Sequence, residues 1–267
     1  KSLSFYELSI EQINYLPKNI ESLSIEYTTE FTNGQVFPNF LNLKYLKLKY
    51  ITENLIFLNL PNKLEYFNYP GKLPNEIEFP KELRIVRSCI HKNIMNLKKL
   101  EKVTFVTHVL DNEFIKLFNI LEFSNVPAYF GIEYEGLYTH EYLSNLDKII
   151  IPKGVKCCGI FNNNNCLISD DPSIPYTNSP DLTPNIIFSE DVETLECFYF
   201  IYTNMYANLP KNITTIRYYI NPNYFDDCIP YFTNIPDFVE TVEFDETMTD
   251  GNHFLKIKDT VKVIKYN

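Results

Sequence analysis

A ten-residue pattern that returns along this chain limits its possible folds more than any other feature. Residues 16–25 (LPKNIESLSI) carry it in full: an apolar residue, a proline, two polar residues, an apolar residue, two variable residues, and then apolar, variable, apolar. The last three positions alternate with a period of two, which places both apolar side chains on one face of a β-strand. Each copy of the pattern therefore predicts a short strand with one buried face.

The copies follow one another at a nearly constant interval. In the first half of the chain the equivalent apolar positions lie 23, 21, 19 and 17 residues apart, at Leu23, Leu46, Phe67, Val86 and Val103. In the second half the intervals are 21, 26 and 22 residues, at Leu195, Ile216, Val242 and Ile264. A stack of copies can bury the apolar face that one copy cannot, with successive strands side by side in a parallel sheet. The spacing predicts a leucine-rich-repeat solenoid, with irregular turns or short helices opposite the sheet.

These copies resemble the leucine-rich-repeat superfamily, most clearly at residues 20–25 (IESLSI) and 43–48 (LKYLKL). The asparagine expected three residues after the last apolar position is absent from most copies. The Leu-Pro openings look like the irregular FNIP-type repeats of amoebal proteins, and residues 149–155 (IIIPKGV) are similar to bacterial-surface-antigen A-like repeats. The resemblance covers roughly two thirds of the chain. It implies recognition of a protein or a surface and supplies no catalytic residues.

The prediction is a single domain over residues 1–267, irregular over 106–141 and with a loop insertion at about 162–184. Within the irregular part, Phe118, Leu121 and Phe123 fit a repeat copy weakly. The alternative there is a short helix that begins after Asp111 as its N-cap. For the whole chain the alternative is an α/β or β-sandwich domain with chance Leu-Pro pairs, but sandwich strands recur at shorter intervals than these copies do.

The charge and the cysteines limit the partners and the compartment. A formal net charge of −10 lacks the basic footprint that grips a phosphate backbone, so no nucleic-acid partner is expected. No apolar run reaches 18 residues, so no transmembrane segment is expected. The six cysteines are irregularly spaced, which favours free buried thiols over a disulfide framework. The compartment stays open, with the cytoplasm preferred over secretion or the cell surface.

Motifs for catalysis, metals and cofactors are incomplete. His140-Glu141 begins like a zinc-protease helix, but Ser144 stands where the second histidine ligand is needed. Residues 245–252 resemble a calcium loop, but Gly251 falls one place late and the closing glutamate is missing. Only seven glycines are present, and none forms a phosphate-binding loop. The expectation is a chain without enzyme activity, metal or cofactor.

The outward side chains of the strands are the candidate site. Residues between the inward apolar positions point away from the core, and tyrosine and arginine are the types that dominate binding hot spots. The candidate residues for binding a protein partner are Tyr45, Lys47, Tyr66, Asn68, Arg87 and, further along the chain, Arg217. One alternative is a structural subunit of a larger assembly, and a third is an enzyme with an unrecognised site.

Overall fold

The computed structural model describes residues 1–29, 36–50, 57–134, 142, 145–162, 186–198, 209–219, 235–245 and 260–266. The chain divides into two compact units. The first unit is Lys1–Thr107 with Ile120–Pro127, and the second unit is His108–Asn119 with Ala128–Asn267. The expectation of one domain over the whole chain therefore stays a prediction.

In the residues of the first unit that the structure describes, six parallel strands lie in the sheet in the order of the sequence. They are β1 (Ser2–Ser9), β2 (Ser22–Thr29), β3 (Tyr45–Tyr50), β4 (Tyr66–Tyr69), β5 (Ile85–Ser88) and β6 (Lys102–Thr107). Each strand belongs to one copy of the repeated pattern, so the predicted parallel sheet of repeated strands is confirmed here.

The register of the first unit follows the apolar column of the sequence. Directly opposite one another on successive strands lie Leu23, Leu46, Phe67, Val86 and Val103. Each of these side chains is fully buried. The apolar positions that were matched by their spacing are therefore one continuous row of the core, which stabilises the stack by removing apolar surface from water.

A turn precedes most strands and explains the proline of the pattern. The carbonyl oxygen of Pro61 accepts a hydrogen bond from the backbone N–H of Leu64 at 3.0 Å. The carbonyl oxygen of Pro80 accepts one from the N–H of Leu83 at 3.1 Å. Both leucines are fully buried, so the turn brings the chain back over the core. In the third copy Phe40 takes the place of proline and bonds to Leu43, which explains why Pro38 stands two residues too early in the sequence.

A shared backbone acceptor then fixes each strand against the one before it. The carbonyl oxygen of Glu21 accepts from the N–H groups of both Lys44 and Tyr45. The carbonyl oxygen of Lys44 accepts in the same way from Glu65 and Tyr66. Because such bonds recur at the start of β2, β3, β4, β5 and β6, they set the register of these strands.

Short helices lie between some strands. α1 (Ile10–Asn14) begins at a capping box in which the Ser9 hydroxyl and the Gln12 side chain each accept a backbone N–H of the other residue. A 3-10 helix spans Lys92–Asn96. α2 (Asn112–Asn119) belongs to the second unit, and Oδ1 of Asp111 accepts from the N–H of Phe114 at 2.7 Å. The helical alternative for this segment is confirmed, and the weak repeat copy at Phe118–Phe123 is wrong.

Among its described residues the second unit has six further parallel strands, and a separate two-stranded sheet. The six are β7 (Tyr129–Tyr134), β9 (Cys157–Asn162), β11 (Thr194–Phe198), β12 (Thr215–Tyr219), β13 (Thr241–Asp245) and β14 (Lys262–Tyr266). The short parallel pair is β8 (Ile149–Ile150) with β10 (Ile186–Ile187). The register again joins equivalent positions, since Leu195 lies between Cys158 and Ile216, and Ile216 lies opposite Val242.

The sequence did not predict one strand of the second unit and assigned one position of another strand wrongly. Within the stretch predicted to be irregular, residues 106–141, lies β7, which pairs Phe130 with Cys158. At the last strand Val263, and not Ile264, lies opposite Val242. The predicted loop insertion at 162–184 lies outside the described residues after Asn162, where β9 ends.

Candidate functional site

Five of the predicted site residues meet on the outward side of β3, β4 and β5. Pairing places Tyr45 opposite Tyr66 and forms a row of Lys47, Asn68 and Arg87 across the three strands. The alternation of each strand turns these side chains away from the buried apolar row. These five residues are called the tyrosine–arginine face below.

The two tyrosines of the face stack on one another. Their ring centroids lie 4.1 Å apart with an angle of 13° between the ring planes. Burial raises the pKa of the Tyr45 hydroxyl, and the neighbouring Tyr66 and the charge of Glu26 raise it further. Tyr45 therefore keeps its proton throughout the neutral range and stays an uncharged aromatic group with a hydrogen-bonding end.

A chain of hydrogen bonds connects the arginine to this stack. Nη1 of Arg87 donates to Oδ1 of Asn68 at 2.9 Å, and Nδ2 of Asn68 donates to the hydroxyl oxygen of Tyr66 at 3.4 Å. Asn68 is only 5% exposed, although the sequence predicted a solvent-facing residue there. With both ends of its amide bonded, Asn68 holds Arg87 and Tyr66 in place. Its contact with a partner stays a prediction.

Lys47 is held by a carboxylate that the sequence analysis did not single out. Nζ of Lys47 donates to Oε1 of Glu26 at 2.8 Å, and Nζ of Lys49 lies 3.2 Å from Oε2 of the same residue. Burial raises the pKa of Glu26, but the two lysines outweigh that effect and lower it. The signal was present in the strand pattern, because Glu26 is the next outward position of β2 after Ser24.

The outward positions of β2–β6 carry a surplus of positive charge. Their cations are Lys47, Lys49, Arg87 and Lys102. Glu26 is the one carboxylate among the outward positions of these five strands, all of which are described. By residue type, the outward positions of β2–β6 therefore hold three more cations than carboxylates, on a chain whose formal net charge is −10.

Arg217, the sixth predicted residue, lies in the second unit in a different setting. It stands between Glu196 and Glu243 on the neighbouring strands, with Nη1 at 2.7 Å from Glu196 and Nε at 2.6 Å from Glu243. Partial burial lowers the pKa of the guanidinium, but the two carboxylates outweigh this and raise it. Arg217 is therefore committed to an internal ion-pair row, and its contact with a partner stays a prediction.

The described residues hold no group of three or more His, Cys, Asp or Glu side chains that could bind a metal ion. Cys89, Cys157 and Cys158 are thiols and not disulfides, and burial raises the pKa of Cys89 and Cys158. These two sulfurs are consequently poor nucleophiles. Of the four histidines, His140 and His253 lie outside the described residues. In the described part of the chain, no helix has the length and apolar character to span a membrane.

Comparison with models of protein families, with curated proteins and with solved structures found no match to this chain. The arrangement of its own side chains is therefore the basis for a function.

Proposed function

We propose that this chain is a non-catalytic recognition module that binds a protein partner through the tyrosine–arginine face. The observation that carries the proposal is the fixed arrangement of Tyr45, Tyr66 and Arg87 on one side of the sheet. Tyrosine and arginine are enriched among the residues that supply most of the binding energy at protein interfaces.

The order of these side chains before binding supports the proposal. Association costs free energy for each flexible side chain that it immobilises. Here the ring of Tyr66 is stacked on Tyr45, and the guanidinium of Arg87 is hydrogen-bonded to the buried amide of Asn68. A partner would find these groups already in place, so less of the contact energy would be lost in ordering them.

The architecture proposed for the scaffold is an irregular leucine-rich-repeat solenoid of the FNIP type. Two observations support it: the one-to-one register of equivalent positions from copy to copy, and the turn that brings each copy back to the core. In such a stack, successive copies extend one continuous surface, which suits recognition of an extended partner.

Affinity capture with the purified full-length chain tests the binding role. The site variant combines Tyr66→Ala with Arg87→Ala, and its matched control combines Tyr15→Ala with Lys81→Ala, which removes an exposed tyrosine and an exposed lysine elsewhere. Thermal unfolding followed by circular dichroism establishes that both variants fold. The native chain and the control should capture the same partners in similar amounts. The site variant should capture at least about tenfold less of each. Equal retention by the site variant would contradict the proposed function.

A structural subunit of a larger assembly is the second candidate. Leu41 and Leu58 are 70% and 68% exposed, and both are large apolar side chains outside the tyrosine–arginine face. Light scattering after size exclusion separates the candidates, because a recognition module is expected at the mass of one chain, 31.5 kDa, and an assembly subunit at a multiple of it.

A further inference from the structure

We propose that β1 pairs with β1 of a second copy of this chain, as two antiparallel strands related by a two-fold axis at Ser4. The inference concerns the edge of the sheet and does not rest on the proposed function. It comes from the open edge of β1, from the apolar side chains that are incompletely covered there, and from the symmetry of the sequence about Ser4.

β1 has an open edge in the described part of the chain. It is the first strand in the order of the sheet, and the strand paired with it there is β2. The carbonyl oxygen of Lys1 accepts from the N–H of Ser22 and therefore points to β2. Because the direction of backbone groups alternates along a strand, those of Ser2, Ser4 and Tyr6 point to the other side. Such a row of N–H and C=O groups is a template for a further strand.

This edge lacks the protection that sheet edges commonly have. Natural edge strands are blunted by charged residues, prolines or β-bulges. Residues 2–6 (SLSFY) contain neither a charge nor a proline. Their register with β2 is continuous from Ser2 to Phe5, without a bulge. The edge is therefore well suited to pairing.

The apolar row of the core is incompletely covered at β1. Leu3 lies opposite Leu23, and Phe5 lies opposite Ile25. Leu3 and Phe5 are partly exposed, whereas Leu23 and Ile25 are fully buried between β1 and β3. A further strand on the open edge would cover Leu3 and Phe5 in the same way. Removing their apolar surface from water would favour association.

The sequence of β1 is complementary to itself when two copies run antiparallel. With Ser4 opposite Ser4 of the second copy, Leu3 lies opposite Phe5 and joins the two apolar rows. Lys1, which precedes β1, then lies opposite Glu7, and both are exposed. Opposite charges across an antiparallel pair attract one another. The two-fold axis makes each of these contacts twice.

The same register aligns the outward backbone groups. Residues directly opposite each other in an antiparallel pair exchange both hydrogen bonds when their backbone groups point to the partner strand. Ser4 would exchange two bonds with its own equivalent, and Ser2 would exchange two with Tyr6 of the second copy. A shift by one residue would bring Ser4 opposite a residue whose groups point back to its own β2. A shift by two would bring a charged residue opposite an apolar one.

Sedimentation equilibrium of the chain over a range of concentrations tests the pairing. The mass should rise from that of one chain, 31.5 kDa, towards twice this value and no further, because a two-fold contact closes at two copies. Ser4→Pro should dimerise at least about tenfold more weakly, since it removes the outward N–H. The N–H groups that face β2 remain, so the variant should fold. The matched control Ser4→Ala keeps the outward N–H and should dimerise like the native chain.

Exchange of the two charges tests the register. Glu7→Lys places like charges opposite each other at both ends of the pair and should weaken dimerisation about fivefold. Adding Lys1→Glu should restore the native affinity, because opposite charges then face each other with their signs exchanged. A loss without this rescue would contradict the alignment.

Ser4→Cys locates the two-fold axis. Opposite residues of a hydrogen-bonded antiparallel pair have Cα atoms about 5.5 Å apart, within the range of a disulfide. Mild oxidation should therefore join two chains through the new cysteines, as mass spectrometry of the digested dimer can show. In the control Ser2→Cys the equivalent positions lie about 14 Å apart and should not cross-link above the background of the native chain. A cross-link in the control instead would contradict an axis at Ser4.

The mass measurements also separate this inference from the two candidate functions. A mass of one chain at every concentration, or a two-chain mass that Ser4→Pro leaves unchanged, contradicts the pairing of β1. Neither result bears on the proposed function, since the edge variants leave Tyr66 and Arg87 as they are. If Ser4→Pro alone has the mass of one chain, the native dimer comes from β1 and does not indicate an assembly subunit. Masses above two chains contradict a closed pair and favour the assembly subunit.

Discussion

Arg217 and Glu243 lie directly opposite each other on β12 and β13, and Nε of the arginine bonds to Oε2 of the glutamate at 2.6 Å. On the other side the same guanidinium bonds to Glu196, which is 1% exposed. A charge placed so deeply is tolerated because its counter-charge is held by the register of the strands.

Arg217→Ala should destabilise the folded chain by about 2 kcal/mol, because it deprives a buried carboxylate of its cation. Urea unfolding followed by fluorescence measures the change in the free energy of unfolding. Adding Glu196→Gln should recover part of the loss, since the neutral amide does not need the counter-charge. A loss below about 0.5 kcal/mol would show that the ion-pair row contributes no more than a surface pair does.

Phe67→Ala should lower the free energy of unfolding by about 4 kcal/mol. Phe67 is fully buried in the apolar row and packs edge-on against Phe57 and Phe79. The control is Leu41→Ala, whose side chain is exposed and should cost less than about 0.5 kcal/mol. The same urea unfolding compares the two variants. Similar costs for both would mean that Phe67 is not a core residue.

Gly159→Ala should destabilise by about 2 kcal/mol, because β9 passes close under two aromatic rings. A Cβ atom at this position would meet the hydroxyl oxygen of Tyr129 at 2.2 Å and the ring of Phe161 at 2.7 Å. Removing that hydroxyl with Tyr129→Phe in the alanine background should restore part of the stability, which thermal unfolding can detect. A Gly159→Ala variant as stable as the native chain would contradict this close approach.

Because of Tyr45, the free energy of unfolding should fall as the pH rises in the alkaline range. Its pKa is raised in the folded chain above the ordinary value of about 10, chiefly by burial. The stability that depends on its proton is complete below about pH 10 and is lost as the pH rises towards the folded-state pKa. Between about pH 9 and about pH 11, Tyr45→Phe should therefore lose less unfolding free energy than the native chain. Parallel losses in the two proteins would show that Tyr45 is exposed to water.

The sequence predicts the parts of the fold that depend on apolar periodicity. The row from Leu23 to Val103 was located because each copy repeats both the turn and the alternation of its strand. The same alternation identified Tyr45, Tyr66 and Arg87 as neighbours on the outward side. In both cases the position within a copy determines the position in space.

The parts that escaped prediction lack that repeated signal. The strand β7 has no Leu-Pro opening, and all six of its residues are buried, so no alternation marks it. At β14 both Val263 and Ile264 are apolar, and the pattern alone does not decide which faces the core. The burial of Asn68 and the bridging role of Glu26 depend on side-chain contacts between strands, which a single sequence does not encode in its spacing.

A cross-linking measurement tests the stacking of copies most directly. Ser24 of β2 lies opposite Lys47 of β3 on the outward side, so Ser24→Cys with Lys47→Cys should place two Cα atoms within the range that a disulfide spans. The control pairs Ser24→Cys with Lys49→Cys, a diagonal about 7–8 Å across, which is too long. Mass spectrometry of the digested, mildly oxidised chain should find the first cross-link and not the second. Formation of the second disulfide, or of neither, would contradict the register on which the face depends.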